Sequence, residues 1–344
     1  MKAVYIQSYG GFDSVVVGER PTPDPGPGEV RIKMAIGGLN RVDLYMLGGG
    51  RGITHELPLV LGVDGAGTVD VVGEGVADPA PGTRVVVYPA RFCGNCEFCR
   101  RGDQMLCTRC KIPGEHIDGC FAQYLIMPAG CVFPISDTLS FEHAAVLPTS
   151  YLTAWRMVTT QGSVKPADTV LIHGIGGGVS SAALLYCRMI GARTIVTSSS
   201  DSKLTRAAEL GADVCINYRE QDVVNEVLRA TDKRGVDVVL ENVGKATWDV
   251  SMKCVIRGGR IVVCGATTGG DPSADLQRVF IRQLRIYGAT IGNQEEFRRL
   301  IRAAEQKRFE PVIERQFDMD EAAAGLARLD SGEQFGKITL RIDP

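Results

Sequence analysis

The sequence predicts an α/β protein with a β-rich first part followed by a doubly wound parallel sheet. Three observations predict it. From about residue 150 onward, strand-like and helix-like runs alternate. A cluster of glycines at 174, 176, 177 and 178 falls at the first strand-to-helix junction of that alternation. The length, 344 residues, exceeds what one hydrophobic core usually serves, which calls for two domains.

The elements follow in chain order. VRIKMAIGGL, GAGTVDVVG and TRVVVYP are short β-branched runs punctuated by Gly and Pro, the mark of strands. PTPDPGPGE (21–29) is a turn-forming connector. TVLIHG (169–174) reads as a buried strand, and SSAALLYCRMI (180–190) has helical spacing. TIVTSS, SKLTRAAELG, VCINY, VVNEVLRATD, VDVVLENVG and GRIVVCGATTG continue the strand–helix alternation. The last fifty or so residues return to mixed texture and end on a strand-like GKITLRI. The expected division is 1–149, 150–290 and a return segment 291–344, with a lobe at about 91–112 inside the first part.

Composition narrows the function classes. Hydrophobic residues make up 44% and charged residues 23%, and the net charge is −2. The pI is about 6.1 and the mean hydropathy +0.03. No basic surface for nucleic acid is implied. No apolar run is long enough to span a bilayer. The opening MKAVYIQSYGG lacks the charged-then-apolar pattern of a secretion signal, so a cytoplasmic protein is expected. Eleven cysteines in such a chain read as thiols and metal ligands rather than a disulfide framework.

Two motifs carry chemistry. Cys93, Cys96, Cys99 and Cys107 are separated by two, two and seven residues. Four thiolates at that spacing close a tetrahedral shell around zinc and leave no position for substrate, so the metal expected here is one structural Zn²⁺. Cys110 is the plausible substitute ligand. The second motif is HGIGGGVSSAA (173–183). Glycines between a strand and a helix let a pyrophosphate rest on backbone N–H groups. The site residues expected are Gly174, Gly176, Gly177, Gly178 and Val179. Strict G-x-G-x-x-G would place a glycine where Val179 stands, and Ser180 serves as the third small residue. The next strand ends in Thr197, Ser198, Ser199 and Ser200, and the first acid is Asp201. Hydroxyls there, with Lys203 and Arg219, suit a 2′-phosphate, which favours NADPH over NADH.

These segments together are similar to the medium-chain dehydrogenase/reductase superfamily. GEVRIK, LPLVLGVDGAGTV, the four-cysteine lobe, LTAW, the glycine turn, VCGATTG and the terminal FGKI carry the resemblance along essentially the whole chain. It implies a chaperonin-10-like β-barrel catalytic domain, a Rossmann domain, and hydride transfer between NAD(P) and a carbonyl or activated alkene. It also implies a homodimer or homotetramer acting on a small molecule, with GATIGN (288–293) as a candidate edge for strand pairing. In zinc-dependent members the catalytic metal is held by the Cys of Cys-x-x-Asp, the His of Gly-His-Glu and often a later Cys. Here those positions read Asn40-Arg41-Val42-Asp43, Gly62-Val63-Asp64 and about Thr149. His55 in THELP is out of register with them.

Asn-x-x-Asp resembles the quinone oxidoreductase and enoyl reductase branch, while the cysteine lobe resembles zinc-type alcohol dehydrogenase-like proteins. The implied activity is NADPH-dependent reduction of an enone, an enoyl thioester such as acryloyl-CoA, or a quinone, without a catalytic metal. The alternatives are an alcohol dehydrogenase or carbonyl reductase, and a non-catalytic NADPH-binding protein. Asn40 is expected to orient a substrate carbonyl, Asp43 to fix its loop, and Tyr45 to donate a proton or a hydrogen bond. The resemblance places Tyr218, Asn242, Gly265, Ala266 and Thr267 along the cofactor, and Lys337 near its phosphates. His116 is a loop histidine near the cleft; His143 and His173 read as structural.

Overall fold

A computed structural model describes residues 1–342. It divides into two compact units. One runs Met1–Leu152 and is completed by the segment from Asn293 onward; the other is Thr153–Gly292.

The first unit is built on a mostly antiparallel sheet. Its central strand β1 (Glu29–Gly38) pairs along its length with β2 (Asp64–Val72). The first half of β1 also takes Tyr124–Pro128 on its other edge, and the last residues take the C-terminal strand Lys337–Arg341. Register shifts at Arg31/Ile32 and Met34/Ile36 bend β1 so that one strand serves both partners. The alternation in VRIKMAIGG explains the burial: Val30, Ile32 and Met34 are fully buried, while Lys33 faces solvent. Helix α1 (Arg41–Leu47) starts where β1 ends, with Asn40 as its N-cap. The carboxyl end of β1, the start of α1 and the start of β2 are therefore held together.

The second unit is a six-stranded parallel sheet. Its elements are β3 (Thr169–Ile172), α2 (Gly178–Ile190), β4 (Arg193–Ser198), α3 (Asp201–Glu209), β5 (Val214–Asn217), α4 (Val223–Ala230), β6 (Val236–Glu241), α5 (Lys245–Cys254), β7 (Val255–Val263), α6 (Leu276–Arg282) and β8 (Arg285–Gly288). The spatial order is β5-β4-β3-β6-β7-β8, with every pairing parallel. This is the doubly wound order, and it reverses between β3 and β6. Ligands bind outside the carboxyl ends of the strands at such a point. Val170–Ile172 of β3 are apolar and buried, and all six residues of β6 are buried, Asp237 and Glu241 included, as a strand covered on both faces must be. Helix α5 is not expected from the sequence, because KATWDVSMKC lacks a sharp apolar stripe. The expected edge at 288–293 is corrected: the edge strand is β8, which ends at Gly288. Ile291 takes a φ of 49°, outside the β region, so the strand cannot continue.

Among the described residues no helix is long and apolar enough to cross a membrane.

Candidate active site and cofactor site

The lobe gathers the four expected sulfurs. Cys93, Cys96, Cys99 and Cys107 have Sγ atoms all within 4.8 Å of one another. Three separations are 3.5, 3.5 and 3.9 Å. A tetrahedron with Zn–S bonds of about 2.3 Å has edges of about 3.8 Å, so the cage fits zinc. A short helix, Glu97–Arg100, carries Cys99, and the backbone N–H groups of Cys93 and Arg109 donate to the Cys107 sulfur. Cys110 lies outside this cluster, and burial pushes its thiol up to about 11, which disfavours the thiolate a metal needs.

The residues that align with catalytic-zinc ligands form a different kind of cluster in the first unit. The Asn40 side chain donates to Gly38 O at 3.1 Å and to Asp64 Oδ2 at 2.8 Å. Its Oδ1 accepts from Lys337 Nζ at 2.6 Å and from Ser150 Oγ at 3.2 Å. Two donors and two acceptor sites are all that an amide has. Asn40 therefore has nothing left for a substrate carbonyl, which corrects the role expected of it. Thr149 Oγ1 donates to Asp64 Oδ1 at 2.5 Å. Lys337 is 3% exposed, and Nζ also donates to Leu39 O at 2.6 Å and approaches Asp64 Oδ2 at 3.3 Å. Its three N–H groups are thus used inside this unit, and none remains for a cofactor phosphate, which corrects the role the sequence suggests for it.

Burial raises the Asp64 carboxyl and lowers the Lys337 ammonium, and their mutual attraction opposes both shifts. Donors from Asn40, Thr149 and Lys337 all meet Asp64, which holds it as a carboxylate. The Lys337 ammonium, 3.3 Å from Asp64 Oδ2, balances the charge of this buried carboxylate. Val63 has no ligand atom, and Thr149 has turned its hydroxyl to Asp64.

Asp43 caps α1 by accepting from Asn40 N at 2.8 Å through Oδ2, so it fixes the loop. Its Oδ1 is buried and has no partner among the described residues, and burial raises the carboxyl to about 7. Tyr45 is half-buried on the same helix. Glu115, which carries no motif in the sequence, is a half-buried carboxyl raised to about 7 by burial and near enough to act on Asp43. Its turn is fixed against Gly62: a Cβ on Gly114 would lie 2.6 Å from the Gly62 carbonyl carbon, and one on Gly119 2.3 Å from its oxygen. The signal available in the sequence is GEHIDG, two glycines around an acid and a histidine. His55 sits apart, bonded to Ile53 O at 2.7 Å and to the Tyr9 hydroxyl at 3.1 Å. His116 Nδ1 accepts from Ile112 N at 3.2 Å.

In the second unit the glycine turn joins β3 to α2. Gly174 and Gly176 have φ of 64° and 115°, which favour glycine. Ser180 Oγ donates to Gly174 O at 2.8 Å and so closes the turn as the third small residue. After β6, Asn242, Val243 and Gly244 form a second turn. It is tied to the third, Gly265–Thr268, by Thr268 N to Val243 O at 2.9 Å, and Thr267 Oγ1 lies 3.4 Å from the same oxygen. Asn242 Oδ1 is buried without a partner among the described residues, 3.8 Å from the Cβ that Gly174 lacks. An orphaned acceptor beside a glycine turn at a topological switch point fits a dinucleotide that brings its own donor. Gly177, Gly178 and Val179 place the amino end of α2 at the same turn.

At the end of β4, Thr197 and Ser198 are buried and their hydroxyls are engaged: Thr197 with Gly174 N, Ser198 with Ser200 N. Ser199 and Lys203 are half-buried. Tyr218 and Arg219 are exposed on the adjoining strand end, where Tyr218 N donates to Ser198 O at 3.0 Å. The nearest acid, Asp201, accepts from Asn217 at 2.8 Å.

Two family profiles match the chain: an alcohol dehydrogenase GroES-like domain over residues 26–137 and a zinc-binding dehydrogenase over 178–306. A zinc-type alcohol dehydrogenase-like protein of Schizosaccharomyces pombe is 32% identical, covering 100% of this chain and 99% of its own. The chain belongs to the medium-chain dehydrogenase/reductase superfamily. It is an NAD(P)-dependent oxidoreductase with a GroES-like domain and a parallel-sheet Rossmann domain. Two solved structures frame this superfamily member. An NAD-dependent alcohol dehydrogenase superposes with a TM-score of 0.94 at 38% identity over 100% of both chains. A crotonyl-CoA carboxylase/reductase, AntE, in complex with NADP superposes with a TM-score of 0.91 at 26% identity, over 99% of this chain and 94% of its own.

Proposed function

We propose that this oxidoreductase uses NADPH to reduce an alkene conjugated to a carbonyl, and that it does so without a catalytic metal. The observation that carries the reading is the saturated cluster of Asn40, Asp64, Thr149 and Lys337, whose side-chain donors and acceptors are spent on one another and on a buried ammonium. The charges of Lys337 and Asp64 cancel, and burial raises the Asp43 carboxyl to about 7, so it carries only part of a negative charge at neutral pH. The cluster offers no Lewis acid for the localised alkoxide of a simple ketone. An enone or enoyl thioester spreads the charge over an enolate and needs less stabilisation. A nicotinamide cofactor held by the glycine turn at Gly174–Gly178 and by the Asn242–Gly244 turn would supply the hydride that such an alkene needs at its β-carbon. The first unit offers Tyr45 and Glu115 as groups able to donate a proton, and burial raises the Glu115 carboxyl to about 7, so it is partly protonated at neutral pH.

The similarity to a crotonyl-CoA carboxylase/reductase bound to NADP supports both the substrate class and the cofactor. Ser199, Lys203, Tyr218 and Arg219 form the proposed 2′-phosphate site, with the neighbouring acid Asp201 occupied by Asn217. The lobe holds one structural zinc, and the working form is a homodimer or homotetramer in the cytoplasm. A second reading, alcohol dehydrogenase, is favoured by the names of the relatives, including the NAD-dependent alcohol dehydrogenase of Saccharolobus solfataricus. A panel of enones, enoyl thioesters, quinones, ketones and alcohols with NADPH and NADH, run beside zinc quantitation, separates the two. Turnover of conjugated acceptors with NADPH at one zinc per chain supports the proposal; alcohol oxidation at two zincs per chain overturns it.

A further inference from the structure

Four buried polar side chains of the second unit form a continuous chain that the turnover reading does not use. Glu241, at the end of β6, is fully buried. Its Oε1 accepts from Val243 N at 2.9 Å, Gly244 N at 3.0 Å and Thr247 Oγ1 at 2.8 Å. Its Oε2 accepts from Ser251 Oγ at 2.6 Å. On the far side of Ser251 stands His173, at the end of β3, with Nε2 3.0 Å from the Ser251 oxygen. His173 Nδ1 is 3.4 Å from Thr197 Oγ1, and Thr197 Oγ1 accepts from Gly174 N at 3.3 Å.

The direction of every hydrogen in this chain follows from one end. A carboxylate only accepts, so the Ser251 proton points to Glu241. The Ser251 oxygen must then accept, which makes His173 the Nε2–H tautomer. Burial lowers the imidazole's proton affinity, so it is neutral and Nδ1 is an acceptor. The Thr197 proton therefore points to His173, and its oxygen is left to receive the Gly174 N–H. The two ends of the chain are the two turns that flank the orphaned Asn242 Oδ1: Gly174, with φ of 64°, and Gly244, with φ of 92°.

We propose that Glu241, Ser251, His173 and Thr197 are positioning residues that lock the Gly174 turn and the Asn242–Gly244 turn into one preformed cradle for the dinucleotide. The hydroxyls of Thr197 and Ser251 fix the turns before the cofactor arrives, so the ordering cost is removed from binding. The inference rests on family membership and NAD(P) use; it does not depend on which substrate is reduced.

Isothermal titration of the full chain with NADPH and with NADH tests it without turnover. Thr197→Val, which keeps shape and removes the hydroxyl, raises the better cofactor's Kd by about tenfold. Thr197→Ser, which keeps the hydroxyl, stays within about twofold of the parent. Ser251→Ala weakens binding as Thr197→Val does. The double variant weakens it little further, because one broken link already uncouples the turns. Folded variants that bind like the parent, or effects of the two substitutions that simply add, overturn the proposal. Failure of both single variants to fold also overturns it, since the network would then serve only the core. If wild-type protein binds neither cofactor, the NAD(P) use on which the inference rests fails instead.

Discussion

The molecule contains two polar clusters, the cysteine lobe and the base of α1, and they have opposite solutions to the same charge problem. In the lobe, Cys93, Cys96, Cys99 and Cys107 converge with their sulfurs within 4.8 Å of one another, a donor set whose charge is all negative once the thiols ionise. At the base of α1, Asn40, Asp64 and Thr149 converge on Lys337, and each of their hydrogen-bonding groups finds a protein partner. The first set needs a cation from solution; the second carries its own. A ligand cluster is therefore read by asking which charge balances it, as well as by which residues compose it.

The largest expected effect breaks the first side of the comparison. Cys107→Ser removes one corner of the cage, and zinc content falls from about one equivalent per chain to about none. Plasma emission spectroscopy of the purified protein, with protease sensitivity at the lobe as a second signal, checks it. Next comes the internal cation. Lys337→Met leaves Asp64 buried without its counter-ion, a loss of about 3–5 kcal/mol by urea unfolding. Unchanged stability would mean that Asp64 is neutral.

A smaller effect concerns Asp43. Burial raises its folded-state pKa from 3.8 to about 7. Between those values the folded chain keeps a proton that the unfolded chain has lost, so this residue's stabilising contribution is full below about pH 4 and declines as pH rises toward 7. Asp43→Asn keeps an oxygen for Asn40 N and flattens that decline. Thermal unfolding across the range reads it; a variant with the parent's pH slope refutes the assignment. The smallest effect is at the cofactor phosphate. Arg219→Ala raises the KM for NADPH by about threefold to tenfold, on the order of 1 kcal/mol, and leaves that for NADH unchanged. Equal changes for both cofactors would move the 2′-phosphate elsewhere.

Much of the fold is legible in the sequence. Strand and helix periods place β1 to β6 to within a few residues, because each element's burial follows its own local pattern. The cysteine spacing names the cage because four ligands within fifteen residues are brought together by the loop itself. Helix α5 and the true edge strand are not legible. A weak stripe hides the helix, and the left-handed Ile291 that ends the sheet has no sequence mark. Asn40 stands out in the sequence but suggests the wrong task, since its partner Lys337 lies 297 positions away.

The sequence alone determined the fold class, the sulfur cage and the glycine turn, all of which depend on residues close together along the chain. The tertiary structure decided where hydrogen bonds are already spent. It placed Lys337 inside the Asn40–Asp64 cluster and strung Glu241, Ser251, His173 and Thr197 between two turns. The physical reason is that a polar group's availability depends on every donor and acceptor around it once water is removed, and that neighbourhood exists only after distant segments meet.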